Sequence, residues 1–344
     1  MSTTYQEILQ EQPSLKKTAD YINEKAPLFE EALAREPKCV IYVGCGSSYM
    51  LACGAAATQN MYLSVPAAAI AGGDLMVNFD RYKTMLEGSL LVAISRSGST
   101  SEVVKSLDRI RIEHIDCELM AISCVENAPL SQVASVKLEM PWAFDASVCQ
   151  TRNVSCLYLA TMLLIAKAAK NKEMEKSAAE VIDGLEDFRN RWEKEIIGVA
   201  GKTWSDGCVL GDAEICGIAD EAALTFKEIC QLPSNYYHFL DIRHGPILVL
   251  GEHSVVIAAM SDAKNEYERG LIKDIKEKGA HVIVLSDEDA KIDGALNIYF
   301  GKKLHHAARG LLLVLVAQLL TLHKAEAVNT DPDRPGHLHA WIEL

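Results

Sequence analysis

The feature that most constrains the fold is a repeat. Four short apolar runs follow one another in the first half of the chain: Cys39–Val43, Ser89–Ile94, Leu119–Ile122 and Val136–Met140. Four more follow in the second half, at Cys208–Leu210, Ser254–Ala259, His281–Leu285 and Leu296–Phe300. Each run has its counterpart about 160 to 170 residues later. Apolar runs of this length, alternating with amphipathic stretches, mark the strands and crossover helices of a parallel sheet. Both halves then close on a long apolar helical stretch, about 150–170 and 305–323. The pattern predicts an α/β chain of two tandem three-layer α/β/α lobes with parallel sheets, related by internal duplication.

Around this plan the chain divides further. Residues 3–36 are polar and helix-favouring, with Ile8, Leu15, Ala19, Ile22 and Leu28 spaced for one helical face. The expected organisation is an arm over 1–37, a first lobe over 38–170, a charged helical linker over 171–203, a second lobe over 204–326 and a tail over 327–344. A chain of 344 residues that is 49% apolar has enough material for two such cores.

Charge and composition remove several function classes. Lys plus Arg number 34 against 47 Asp plus Glu, a net charge of −13. A nucleic-acid protein shows a basic face instead, so that partner is not expected. The longest apolar run, 311–322, contains Gln318 and falls short of the roughly 20 residues of a membrane helix. The first residues, Met1-Ser2-Thr3-Thr4-Tyr5, lack the basic-then-apolar profile of a signal peptide. Ten cysteines without a C-x-x-C pair read as reduced thiols of a cytosolic protein. No metal or cofactor is implied, since His305-His306 and His337-x-His339 lack further ligands at a suitable spacing. Those histidines are expected at the surface or at a subunit contact.

Chemistry belongs at the carboxyl ends of the strands, where open parallel sheets bind ligands. The first half has two small, hydroxyl-rich turns there. Gly44-Cys45-Gly46-Ser47-Ser48-Tyr49 follows the first run, and Ser95-Arg96-Ser97-Gly98-Ser99-Thr100 follows the second, opening a helix at 101–112. The second half offers Met260-Ser261-Asp262-Ala263-Lys264-Asn265 at the equivalent place. Helix N-termini with small residues attract anions, and Arg96 can add a fixed charge. The plainer alternative is that the hydroxyls only cap their helices. Better-known glycine motifs fail: Tyr49 stands where a dinucleotide fingerprint has its third glycine, and Ile196 replaces the first glycine of a P-loop ending at Gly201-Lys202-Thr203. Ser97 lacks the flanking glycine at 95 that a nucleophile elbow requires.

These turns, with Lys227-Glu228-Ile229, Arg243-His244-Gly245-Pro246 and Asp331-Pro332-Asp333-Arg334-Pro335, make the chain resemble the two-lobed SIS (sugar isomerase) proteins over about residues 38–340. That group includes the isomerase half of glucosamine-6-phosphate synthase, sugar-phosphate deaminase/isomerases and fructosamine-6-phosphate deglycases. The resemblance implies that Ser47, Ser48, Ser95, Arg96, Ser97 and Thr100 hold a sugar phosphate. Val148 and Arg152, in the stretch 147–152, would line the same pocket. Glu228 would move the proton between C1 and C2. His244, donated by a neighbouring subunit in relatives, would open the sugar ring, implying a homodimer or larger.

The residues themselves leave both roles open. One carboxylate can remove a proton beside a carbonyl and return it one carbon away if burial raises its pKa toward neutrality. Glu228 lies in an apolar helical stretch that can supply such burial, yet a solvent-facing glutamate reads the same. His244, before a Gly-Pro turn, is equally consistent with a packed histidine.

Departures narrow the group. The synthase branch carries a tail lysine that forms a Schiff base; aligning on Pro335 places Ala340 there, beside His339, and no lysine follows Lys324. Position 2 is Ser2 and these 344 residues hold no amidotransferase domain, so a glutamine-dependent synthase is not expected. Arg96 replaces an uncharged amide, pointing to a more anionic substrate group or to a sulfonate. The expected activity is an isomerase or deaminase/isomerase of a 6-phosphorylated hexose or amino sugar. A fructosamine-6-phosphate deglycase, an isomerase of a 6-sulfonated sugar and a non-catalytic sugar-phosphate sensor are the alternatives.

Overall fold

A computed structural model describes residues 2–336. The chain begins with helices α1 (Thr3–Leu9) and α2 (Glu11–Ala34). The first sheet follows: β1 (Val40–Gly44), α3 (Ser47–Tyr62), β2 (Ala67–Ala71), α4 (Gly72–Val77), α5 (Phe79–Leu86), β3 (Ser89–Ser95), α6 (Ser101–Ile112), β4 (Cys117–Ser123), α7 (Pro129–Val133) and β5 (Val136–Glu139). Two long helices come next, α8 (Arg152–Ala168) and α9 (Lys172–Ala200). The second sheet is built from β6 (Asp206–Leu210), α10 (Cys216–Glu228), β7 (Ser234–Tyr237), β8 (Ser254–Ala259), α11 (Glu266–Glu277), β9 (His281–Ser286) and β10 (Leu296–Tyr299), and α12 (His306–Ala327) closes it.

Both sheets are five-stranded and parallel, in the orders β2-β1-β3-β4-β5 and β10-β9-β8-β6-β7. Counted from its own first strand, each sheet has the same order. All eight apolar runs noted in the sequence become strands. The other two strands, β2 and β7, were not expected, and each is a sheet edge. β2 is Ala-Ala-Ala-Ile-Ala, which by propensity favours helix; its pairing Val40↔Ala67 through Gly44↔Ala71 overrides that preference. β7 is polar and only four residues long.

The inner-facing residues of both sheets and the long helices share one large apolar cluster. α2 packs on α8, and α9 on α12. By length and mean hydropathy α12 is apolar enough to cross a bilayer, but 83% of its most apolar window is buried inside the molecule. It is the central core helix of the fold.

One helix crossing positions the site. α3, from the first sheet, meets α10, from the second, at two glycines: a methyl group added to Gly217 would lie 2.2 Å from the Met50 carbonyl and 2.4 Å from the Gly54 nitrogen. Four residues further along α10, Glu221 faces Ser47 at the start of α3. The helices therefore run antiparallel. At about 1.5 Å per residue, the end of α10 lies roughly 10 Å beyond the first turn of α3, over the strand ends of the other sheet.

Candidate functional site

The two hydroxyl-rich turns sit side by side, because β1 and β3 are neighbours paired from Val40↔Leu90 to Val43↔Ala93. Ser47, Ser48, Ser95, Arg96 and Ser97 are buried, and Thr100 is partly exposed. The turn after β3 is held by its own side chains. Gly98 N–H donates to Ser95 Oγ (3.0 Å), Ser99 N–H donates to Ser97 Oγ (3.2 Å), and Ser95 Oγ lies 3.3 Å from Thr100 Oγ1. Gly98 adopts φ +62°, and a methyl group there would lie 2.5 Å from Ala128 Cβ. Only glycine fits without strain. Neither Gly46 before α3 nor Thr100 before α6 caps its helix through its own side chain. Both helix starts keep their positive ends directed at the crevice.

Arg96 leaves this turn and reaches the segment between β5 and α8. Its Nη1 donates to the carbonyls of Ser147 (3.0 Å) and Val148 (3.1 Å). The same segment is gripped elsewhere. Glu7, on α1, accepts from Ala146 N–H (2.6 Å), Ser147 N–H (3.2 Å) and Ser147 Oγ–H. Asp145 Oδ2 accepts from Thr151 N–H (2.9 Å) and Asn153 N–H (3.0 Å), so the start of α8 already has an internal acceptor. Arg152 donates to Gln10 Oε1 and to the Phe144 carbonyl, beside Asp145. The structure thus brings Arg96 and Val148 together with the serine turns and directs Arg152 into the N-terminal arm.

Glu228 is the last residue of α10 and is partly buried. Burial pushes its carboxyl from the ordinary 4.5 up to about 7, against the opposing positive charges of Arg96 and Lys227. Its backbone carbonyl accepts the Cys149 thiol at 3.3 Å. The side chain borders an open cleft of about 720 Å³, shared with Leu224, Lys227, Gln231, Pro335 and Gly336. A second hollow of about 700 Å³ lies at Gly88, Ser89, Asp116 and Cys117, by the amino ends of β3 and β4. That is the wrong end of a parallel sheet for a ligand.

Glu221, one face along α10 from Glu228, is fully buried and its carboxyl is held well above the ordinary range, first by burial and then by the Glu228 charge. Neither Glu221 Oε2 nor Ser47 Oγ has a well-formed hydrogen bond among the described residues. His244 ends a short 3-10 turn, Asp241–His244, on the exposed surface. Leu248 and Val249 beside it are 78% and 66% exposed. His305 and His306, expected at the surface or a contact, instead brace the fold. His305 accepts from Ala307 N–H, and His306 accepts from Arg309 (2.6 Å) while lying 3.1 Å from the Asp212 carbonyl. His337, His339 and Ala340 lie outside the described residues. No cluster of three metal-ligating side chains occurs among the described residues.

Sequence reasoning passed over Glu7, Asp145, Cys149 and Glu221. The only signal for Glu221 was its spacing of seven from Glu228, which places both on one helix face. Glu7 and Asp145 are fixed by folded contacts alone.

Residues 33–167 match the SIS domain family. The chain is 26% identical over 318 residues to D-galactosamine-6-phosphate deaminase AgaS of Shewanella sp. (strain ANA-3), covering 88% of this chain and 79% of that protein. It is 26% identical over 310 residues to glutamine–fructose-6-phosphate aminotransferase [isomerizing] of Chlamydia trachomatis, covering 86% of this chain and 50% of that one. The chain thus spans about half the length of that aminotransferase. Among solved structures, the glucosamine-6-phosphate deaminase of Thermotoga maritima matches with a TM-score of 0.83 and 26% identity over the whole of both chains.

Proposed function

We propose that this chain, whose residues 33–167 match the SIS domain family, is an enzyme of the sugar-phosphate isomerase and deaminase group. Its substrate is a 6-phosphorylated hexose or 2-amino-hexose. The observation that carries this reading is Glu228: a carboxyl bordering a cleft, held near neutrality at about 7, and near enough to Arg96 of the second serine turn to feel its charge.

In this reading the phosphate sits on the first turns of α3 and α6, on Ser47, Ser48, Ser95, Ser97 and Thr100. Once the sugar ring is open, Glu228 removes the C2 proton beside the C1 aldehyde and returns it to C1, while the C1 oxygen gains a proton and the C2 hydroxyl or ammonium group loses one. With a 2-hydroxyl the product is the ketose. With a 2-amino group, the returned proton leaves an iminium at C2; water adds there, and ammonia departs to give the same ketose. A base poised near neutral pH suits both halves of the transfer. His244 of a partner copy opens the ring, which accounts for its exposure beside Leu248 and Val249. The protein is then a homodimer or larger and acts in a reducing cytosol.

The domain division follows the same reading: arm 1–37, phosphate lobe 38–170, linker 171–203, catalytic lobe 204–326 and tail 327–344. The identical strand order of the two sheets supports an internal duplication. The similarity to a galactosamine-6-phosphate deaminase supports deamination more than the deglycase alternative. Arg96 binds carbonyls of this chain through Nη1, which leaves the sulfonated-sugar alternative with less support.

The test is incubation with glucosamine, galactosamine, fructose and tagatose 6-phosphates in heavy water, followed by NMR. Exchange of the C1 or C2 proton, with ammonia released from the amino sugars, is expected. No exchange with any of the four, despite saturable binding, would leave a sensor as the reading.

A further inference from the structure

Helix α1 touches the region of the site at both ends. At its start, Asp333 of the C-terminal segment accepts from Thr3 N–H (2.7 Å), Thr4 N–H (2.9 Å) and Thr4 Oγ1–H (2.7 Å). Two residues on, Pro335 and Gly336 border the Glu228 cleft. Near its other end, Glu7 accepts three hydrogen bonds from Ala146 and Ser147. Ser147 and Val148 hold Arg96 by their carbonyls, and Cys149 holds the Glu228 carbonyl.

We infer that Glu7 is a positioning residue for the site: through its three hydrogen bonds to Ala146 and Ser147 it fixes the 145–149 segment from which Arg96 and the end of α10 are both held. Asp333 anchors the opposite end of the same helix, so the border of the cleft and the 145–149 segment share one rigid support. This inference rests on the sugar-phosphate reading for its kinetic consequence, but not for its geometry.

The hydrogen-bond pattern dictates what can replace Glu7. Oε1 accepts both backbone N–H groups, and Oε2 accepts Ser147 Oγ–H. Ser147 Oγ also lies 2.8 Å from the Cys149 carbonyl, toward which its proton can turn. Glutamine keeps the first acceptor, and its Nε2–H can donate to Ser147 Oγ once that proton has turned. The site therefore requires the shape of Glu7 and not its charge. Alanine leaves the buried Ser147 N–H and the part-buried Ala146 N–H without this acceptor.

The experiment compares the full-length protein with Glu7→Ala and Glu7→Gln. Hydrogen–deuterium exchange over 144–151 reads the grip without any substrate, and inorganic phosphate binding and turnover read its consequence. Glu7→Ala should speed exchange in that segment while the strands of both sheets stay protected. It should lower kcat on the order of 10- to 100-fold, the cost of a misplaced reacting group. Glu7→Gln should restore both. Unchanged exchange in Glu7→Ala overturns the inference, as does faster exchange with turnover intact. If the wild type turns over none of the sugar phosphates, the sugar-phosphate reading has failed separately. Phosphate binding then decides: weakening in Glu7→Ala and recovery in Glu7→Gln uphold the positioning role, and equal affinities end it. A Glu7→Ala protein that does not fold is replaced by Asp333→Ala, expected to speed exchange in both α1 and 144–151; protection retained in 144–151 again overturns the inference.

Discussion

The Cys149 thiol, carried by the first half of the chain, donates a 3.3 Å hydrogen bond to the backbone carbonyl of Glu228, carried by the second. This contact joins the segment held by Arg96 to the end of α10. It follows from the antiparallel passage of α10 along α3, where Gly54 and Gly217 let the helix backbones approach closely. A residue far along the sequence thereby reaches the strand ends of the other sheet.

Replacing Glu228 with Gln keeps size and removes the base. Turnover should fall by roughly 10²-fold or more while sugar phosphate still binds. Calorimetric titration alongside the heavy-water exchange separates the two effects. Retained exchange at C1 and C2 would assign the base elsewhere.

The same carboxyl sets a pH dependence. A base with a pKa of about 7 is mostly protonated at pH 6, so kcat/KM should climb with pH through about 7. The Arg96 charge favours the ionised form of Glu228, and removing it disfavours that form. Arg96→Met should therefore move the acidic limb to higher pH. A limb that moves to lower pH, or not at all, would show that Arg96 does not act on Glu228.

Gly98→Ala tests the turn after β3. The new methyl meets Ala128, and the residue must hold a left-handed φ, at a cost of about 1–3 kcal/mol. Denaturant unfolding should show the loss, and inorganic phosphate binding should weaken with it. Full phosphate affinity in the variant would place the anion elsewhere.

How far the sequence revealed this site depends on the range of each contact. The apolar runs disclosed eight of the strands, because each is bounded by turn residues and flanked by an amphipathic stretch. β2 and β7 escaped: one is alanine-rich, the other polar, and an edge strand needs only one partner. The serine turns were legible because a turn and a helix start are local. Glu7 was not, since 140 residues separate it from Ser147 and nothing near it in the chain marks the contact. Arg96 was identified by position, but its Nη1 bonds to Ser147 and Val148 were not, for the same reason.

Two other buried carboxyls make a stability prediction. Burial raises Glu11 to about 8 and Asp145 to about 7, above their ordinary 4.5 and 3.8. Between about pH 4 and pH 8 the folded chain therefore binds more protons at these groups than the unfolded chain does. Stability from them is fully present below the unfolded values and is lost as pH rises through the folded ones. Glu11→Gln keeps an acceptor for Ser155 Oγ–H, now 2.9 Å from Glu11 Oε1, and removes the charge. The variant should match wild type near pH 5 and exceed it at pH 8, by on the order of 1 kcal/mol or more. Thermal unfolding at the two pH values measures this. A Glu11→Gln protein less stable than wild type at pH 8 would mean that the Glu11 charge is compensated in the fold.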